Sequence, residues 1–201
     1  MRREELTELH YIVPIETVPS ILRLGILSNR RARPLKPMSI AKPEVQGLRA
    51  KVRVPGGRAL HEYANLYICA RNPMMYKRAA FHEELCVLRV STDVLDLAGV
   101  IVTDQNAASD YRRFMPSPDG LALVDREMVF ADDWTHPGNL PAFYRHRSVK
   151  CAEVLVPDLV PSQFVTGAYV SGEAGRTALA PCASTLPLTV NAEVFFQEGA
   201  V

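Results

Sequence analysis

The run Glu153-Val154-Leu155-Val156-Pro157 constrains the fold of this 201-residue chain more than any other stretch. Three consecutive apolar residues, two of them β-branched, suit a buried strand, and Pro157 ends it. A carboxylate, Glu153, stands at the entrance of that strand. Taken alone, Glu153 reads as an ordinary strand-end acid at the surface. The residues just before it, Phe143-Tyr144-Arg145-His146-Arg147-Ser148, are aromatics and cations without apolar periodicity. They read as a loop whose composition suits a polyanion better than a packed core.

Other short apolar runs predict the rest of the sheet. Leu9-His10-Tyr11-Ile12-Val13 reads as a first strand ended by Pro14, with a helix after Thr17 that stops at Gly25. A lone strand histidine such as His10 is usually a satisfied core residue. Asn65 to Cys69 is a second buried strand, and Asn72-Pro73 then starts a helix, with an asparagine cap followed by a first-turn proline. Tyr67 falls on that strand and Tyr76 on that helix. Further strands are expected at Glu84–Ser91, Gly99–Thr103, Glu127–Phe130, Tyr169–Ser171 and Glu193–Phe196. Trp134 reads as a packing anchor. Many short strands, with helices inserted early, predict one α+β domain over residues 1–201 with a mostly antiparallel core.

Charge is unevenly spread. The chain carries a net +1, yet residues 30–58 hold nine Lys or Arg against one acid, Glu44. Prolines and glycines interrupt this segment, so it reads as a long irregular stretch for binding anions, with a short helix around Pro43 to Lys51. Four cysteines without C-x-x-C spacing predict reduced thiols and a cytoplasmic location, and five histidines without ligand spacing predict no metal. No apolar run reaches membrane-spanning length, and the N-terminus lacks the hydrophobic segment of a signal peptide. A Gly-rich phosphate fingerprint, G-x-S-x-G and internal repeats are all absent.

A family resemblance joins these pieces. Leu66-Tyr67-Ile68-Cys69-Ala70, with the helix carrying Tyr76, resembles the tyrosine-bearing strand and helix of the ADP-ribosyltransferase superfamily. That superfamily builds an NAD cleft from a first-strand histidine, a tyrosine and a later glutamate, here matched by His10, Tyr67 and Glu153. Leu9 to Ile12, Ser20 to Ser28, Asn65 to Tyr76 and Ala152 to Pro157 are together similar to the DarT family, the toxin half of DarT–DarG toxin–antitoxin pairs. The resemblance implies an ADP-ribosyltransferase-like α+β fold, with short helices around an NAD cleft. The implied reaction transfers ADP-ribose from NAD+ to a base of single-stranded DNA, thymine being expected.

It further implies Glu153 at the ribose, His10, Ile12, Gly25, Tyr67 and Tyr76 around NAD+, and Tyr144, Arg145, His146 and Arg147 on the DNA. A catalytic arginine would come from the basic segment, Arg49 or alternatively Arg53. The implied partners of a monomeric, non-membrane protein are single-stranded DNA and a DarG-like macrodomain antitoxin, with no metal. An RNA 2′-phosphotransferase, a protein mono-ADP-ribosyltransferase and a non-catalytic nucleic-acid-binding module are the competing readings.

Overall fold

The computed structural model describes residues 1–35 and 43–197. Strand β1 (Leu9–Pro14) leads through a turn into helix α1 (Val18–Leu24), whose first turn takes Pro19 and which ends at Gly25. There follow β2 (Ile26–Leu27), α2 (Asn29–Ala32), α3 (Pro43–Ala50), β3 (Tyr63–Tyr67) and α4 (Pro73–Tyr76). The chain continues through β4 (Leu85–Val90), β5 (Ile101–Thr103), β6 (Phe114–Pro116), α5 (Arg126–Phe130) and α6 (Leu140–Val149). It closes with β7 (Glu153–Pro157), β8 (Leu159–Val160), β9 (Val165–Val170), α7 (Glu173–Leu179) and β10 (Leu188–Val190).

Among the described residues eight strands form one sheet, in the order β10-β9-β4-β1-β3-β7-β5-β6, and β2 pairs with β8 apart from it. All neighbours are antiparallel except β9 and β10. The α+β expectation holds. Alternation along β7 sorts its side chains: Val154 and Val156 enter the main core with Leu9, Val13, Leu66 and Val90. Leu155 points the other way and packs with Val52, Val54, Leu60 and Tyr63.

Three local expectations fail. The segment Phe143–Ser148 is helical, not a loop, because Asn139 caps α6 through its side chain (3.1 Å to the Ala142 N–H) and Pro141 fits the first turn. Glu127–Phe130 lies in α5, where Asp125 accepts the Met128 N–H at 3.0 Å and opens the helix. Residues Glu193–Phe195 form a 3-10 turn that buries Phe195. Their β-branched and aromatic content was outweighed by capping and packing.

The feature that matters for function is a fork in the sheet. Strands β1 and β3 are paired at His10 and Tyr67 alone among the described residues. From there β1 stays zipped to β4 through Pro14, and β3 stays zipped to β7 through Tyr63. The two strands part between these ladders.

Candidate active site

A cavity of about 1070 Å³ fills the opening of the fork. One wall is β1, from Tyr11 to Pro14, with Thr17, Ser20 and Gly25 beyond it; the facing wall is Tyr63, Asn65 and Tyr67 of β3. Among the described residues five Lys or Arg reach the lining, Arg33, Arg49, Lys77, Arg78 and Arg147, against one acid, Glu16. The size is at the upper end of cofactor sites, and the charge suits a ligand with phosphates.

Glu153 sits beside the closed end of the fork. Its Cα partner on β3 is Tyr67, whose partner on β1 is His10, so sheet register aligns His10, Tyr67 and Glu153 in one row across three strands. Glu153 has no exposed surface, which corrects the strand-end surface reading. Its carboxylate accepts two hydrogen bonds from Arg49, Nη1 and Nη2 each 2.9 Å from one oxygen. The Ala107 N–H gives a third, at 3.0 Å, from the segment after β5. This fork-to-fork geometry is the strongest an arginine and a carboxylate make.

Packing explains why Arg49 arrives there. After α3, Val52 and Val54 dock on Leu60, Tyr63 and Leu155, two residues along β7 from Glu153 and on the same face. A tight return through Gly56, at φ +66, pairs Arg53 with Ala59 and fixes the end of the helix. Arg53 is therefore exposed, while Arg49 is 7% exposed and lies over the carboxylate. Burial alone would lower the Arg49 pKa, but the Glu153 charge and hydrogen bonds raise it. Tyr67 is pushed well above an ordinary phenol by burial and then by Glu153, and stays neutral.

Among the described residues three cations of the basic segment are paired with acids. Arg30 pairs with Glu62 and Arg58 with Asp158, in addition to Arg49 with Glu153. Lys36 and Lys42 lie outside the described residues.

A sequence profile of the family described as "ssDNA thymidine ADP-ribosyltransferase, DarT" matches residues 10–185, most of the chain. The chain belongs to the DarT family. A DNA ADP-ribosyl transferase of Thermus sp. (strain 2.9) is 32% identical over 168 residues, 78% of either protein. A fusion of DNA ADP-ribosyl transferase and DNA ADP-ribosyl glycohydrolase from Thermosipho africanus is 31% identical over 178 residues, 82% of this chain and 42% of the fusion. The solved Thermus sp. 2.9 DarT with ADP-ribosylated ssDNA superposes with a TM-score of 0.80 at 25% identity, over 97% of this chain and 99% of that one. Its complex with NAD+ gives 0.78, also at 25% identity, over 95% and 98%.

The expected DarT site residues fall into two groups. Arg49, Ile12, Gly25, Tyr67 and Arg147 line the cavity, and Glu153 lies directly under Arg49. The others stand off it. Tyr76 turns away to meet Phe196 and Trp134 edge-on, at 5.2 and 6.0 Å, because residues two apart on a helix face opposite ways; Met74 holds the place beside Tyr67. Tyr144 and Arg145 are exposed on the outer side of α6. His146 is buried: its Nε2 meets the Met128 carbonyl and its Nδ1 the His136 ring, both at 2.8 Å. It is a packing residue and not a surface for DNA.

His10 is also off the cavity wall, held by Glu8 at 3.2 Å. Sequence reasoning missed Glu8, Tyr11 and Ala107. Alternation does put Glu8 and His10 on one face, but nothing local signals the backbone N–H of Ala107. Among the described residues no cluster of three His, Cys, Asp or Glu side chains is placed to hold a metal. No described helix is long and apolar enough to cross a membrane.

Proposed function

We propose that this DarT-family chain binds NAD+ in the fork between β1 and β3 and transfers its ADP-ribose to thymine in single-stranded DNA through Glu153 and Arg49. The observation that carries the reading is the buried, bidentate Arg49–Glu153 pair at the closed end of a large cationic cavity. Because β1 and β3 part there, the backbone of Ile12 and its neighbours faces the cavity instead of a partner strand, so its amide groups are offered to a ligand. The phosphates of NAD+ would lie against Arg33, Lys77 and Arg78, leaving Arg147 at the cavity edge for the DNA strand.

The bond from ribose C1′ to nicotinamide nitrogen breaks with its electron pair leaving on nicotinamide. Positive charge then develops on the ribose ring, and the Glu153 carboxylate stabilises it while holding ribose hydroxyls. Thymine N3 gives its proton to solvent water, and the resulting anion attacks C1′ as nicotinamide departs. Arg49 stabilises the resulting anion as a donor and point charge, not as a base, since a guanidinium this strongly held in its charged form gives up no proton. Both Glu153 oxygens accept from Arg49, so a shift of the guanidinium toward the cavity would free them for ribose hydroxyls.

The Thermosipho relative is fused to a DNA ADP-ribosyl glycohydrolase, which supports a DarG-like macrodomain antitoxin as the natural counterpart. The test is to mix the protein, NAD+ and a thymine-containing single-stranded oligonucleotide and measure its mass. Gain of one ADP-ribose on the single strand, little on the matching duplex, and none with Glu153→Ala are expected. Labelling of RNA or of protein alone would overturn the substrate assignment.

A further inference from the structure

We infer that Tyr11, and not His10, is the β1 side chain that hydrogen-bonds NAD+ in this protein, an inference that rests on the cavity being the NAD+ site. His10 is committed elsewhere. Its Nε2 lies 3.2 Å from Glu8 Oε1, and that same oxygen accepts the Tyr169 hydroxyl at 2.7 Å. The other Glu8 oxygen accepts Arg89 Nε at 2.6 Å, and Arg89 lies over the Tyr169 ring at 5.0 Å. The His10 and Tyr169 rings stack with centroids 6.5 Å apart. Gly167 belongs to this arrangement, since a Cβ there would come within 3.2 Å of the Arg89 side chain. The remaining His10 nitrogen, Nδ1, is buried without a partner among the described residues and off the cavity wall.

Tyr11 presents the opposite picture. It lines the cavity beside Ile12, one residue from the His10–Tyr67 rung, and strand alternation sends its side chain to the face of the sheet opposite His10 and Tyr67. Its hydroxyl makes no hydrogen bond among the described residues, although the ring is packed against the main core. Burial raises its pKa, so the hydroxyl stays protonated and can both donate and accept. A fixed, neutral hydroxyl facing a cationic cavity fits a ribose hydroxyl, which needs one partner of each kind.

The experiment compares wild type, Tyr11→Phe and His10→Asn by thermal denaturation with and without NAD+, and by KM and kcat for DNA transfer. Tyr11→Phe removes an oxygen with no hydrogen-bond partner among the described residues, so the melting temperature without NAD+ should be unchanged. The NAD+-induced rise in Tm should shrink, and KM for NAD+ should increase about three- to tenfold, the scale of one neutral hydrogen bond. Tyr11→His, which keeps a polar group at that point, should recover part of the loss. His10→Asn should lower the melting temperature without NAD+ while leaving KM within about twofold. If Tyr11→Phe keeps a normal NAD+ response, or if His10→Asn raises KM tenfold at unchanged stability, the inference is wrong. A wild-type protein with no NAD+ response would instead sink the reading of the cavity itself, and this inference with it.

Discussion

Cutting the Arg49–Glu153 pair tests whether the site is held by a buried ion pair or only decorated by one. Glu153 has no exposed surface and its side chain has three hydrogen bonds, two of them from Arg49. Arg49→Ala leaves a buried carboxylate with the Ala107 N–H alone, and breaking one side of such a pair costs about 3–5 kcal/mol. The adjacent cavity admits water to the exposed carboxylate, which places the loss near the lower figure, about 3 kcal/mol. Glu153→Ala strands the guanidinium and the Ala107 N–H, for a similar loss of about 3 kcal/mol, because a buried unmatched donor costs about 1–3 kcal/mol and a charge more.

The double variant removes both charges at once, so it should lose about 4 kcal/mol, not the sum of the two. The double-mutant cycle should therefore return a coupling of about 2 kcal/mol. Urea denaturation of the four proteins without NAD+ measures it, since a domain of this size has enough stability for each variant to stay folded. Losses that add within about 0.5 kcal/mol would refute the argument, and Arg49 would then be a mobile wall residue.

Gly25 adopts φ +82, and a Cβ there would lie 2.4 Å from the Val160 carbonyl oxygen, so Gly25→Ala should cost more than about 1 kcal/mol in denaturant and weaken NAD+ binding as α1 shifts. His146→Ala should lower stability, through loss of its two buried hydrogen bonds, more than it lowers transfer at permissive temperature; Arg147→Ala should do the reverse, with stability unchanged and KM for DNA raised. Burial favours the neutral Glu8 carboxyl, but hydrogen bonds from His10, Tyr169 and Arg89 outweigh it and hold its pKa at about 2 against an ordinary 4.5. A depressed carboxyl stabilises the fold above the unfolded value and loses that contribution as pH falls from about 4.5 to about 2. Acid unfolding of Glu8→Gln should therefore lack part of the loss seen for wild type in that window; equal acid limbs would count against it.

Residues differ in how plainly they announced their places. The strands at Leu9, Asn65, Leu85 and Glu153 were legible because each is a short apolar run ended by proline, glycine or a cap, and burial is what those runs need. The α6 helix is signalled by Asn139 and Pro141, the same cap-and-proline pair that marks α4, but the aromatics and cations that follow carry no apolar periodicity to extend the signal. Choosing Arg49 over Arg53 was beyond local reading, since the decision rests on an ion pair spanning 104 positions and on Val52 and Val54 docking beside Leu155. The displacement of Tyr76 by Met74 turns on helix phase, which a four-residue helix leaves undetermined until its neighbours Trp134 and Phe196 are in place.

The parting of β1 from β3 also makes the sheet two four-stranded halves, β10-β9-β4-β1 and β3-β7-β5-β6, stitched at a single rung. An inner strand edge without its ladder is ordinarily a defect that folding removes. A sequence change that let Tyr11 to Pro14 zip onto Tyr63 to Leu66 would add hydrogen bonds and raise stability while erasing the cavity. Selection for thermal robustness alone would thus drive this chain toward a continuous, inert sheet. The charged groups bordering the fork, the buried Arg49–Glu153 pair on one half and the Glu8 network on the other, are where a stabilised but inactive variant would first be found altered.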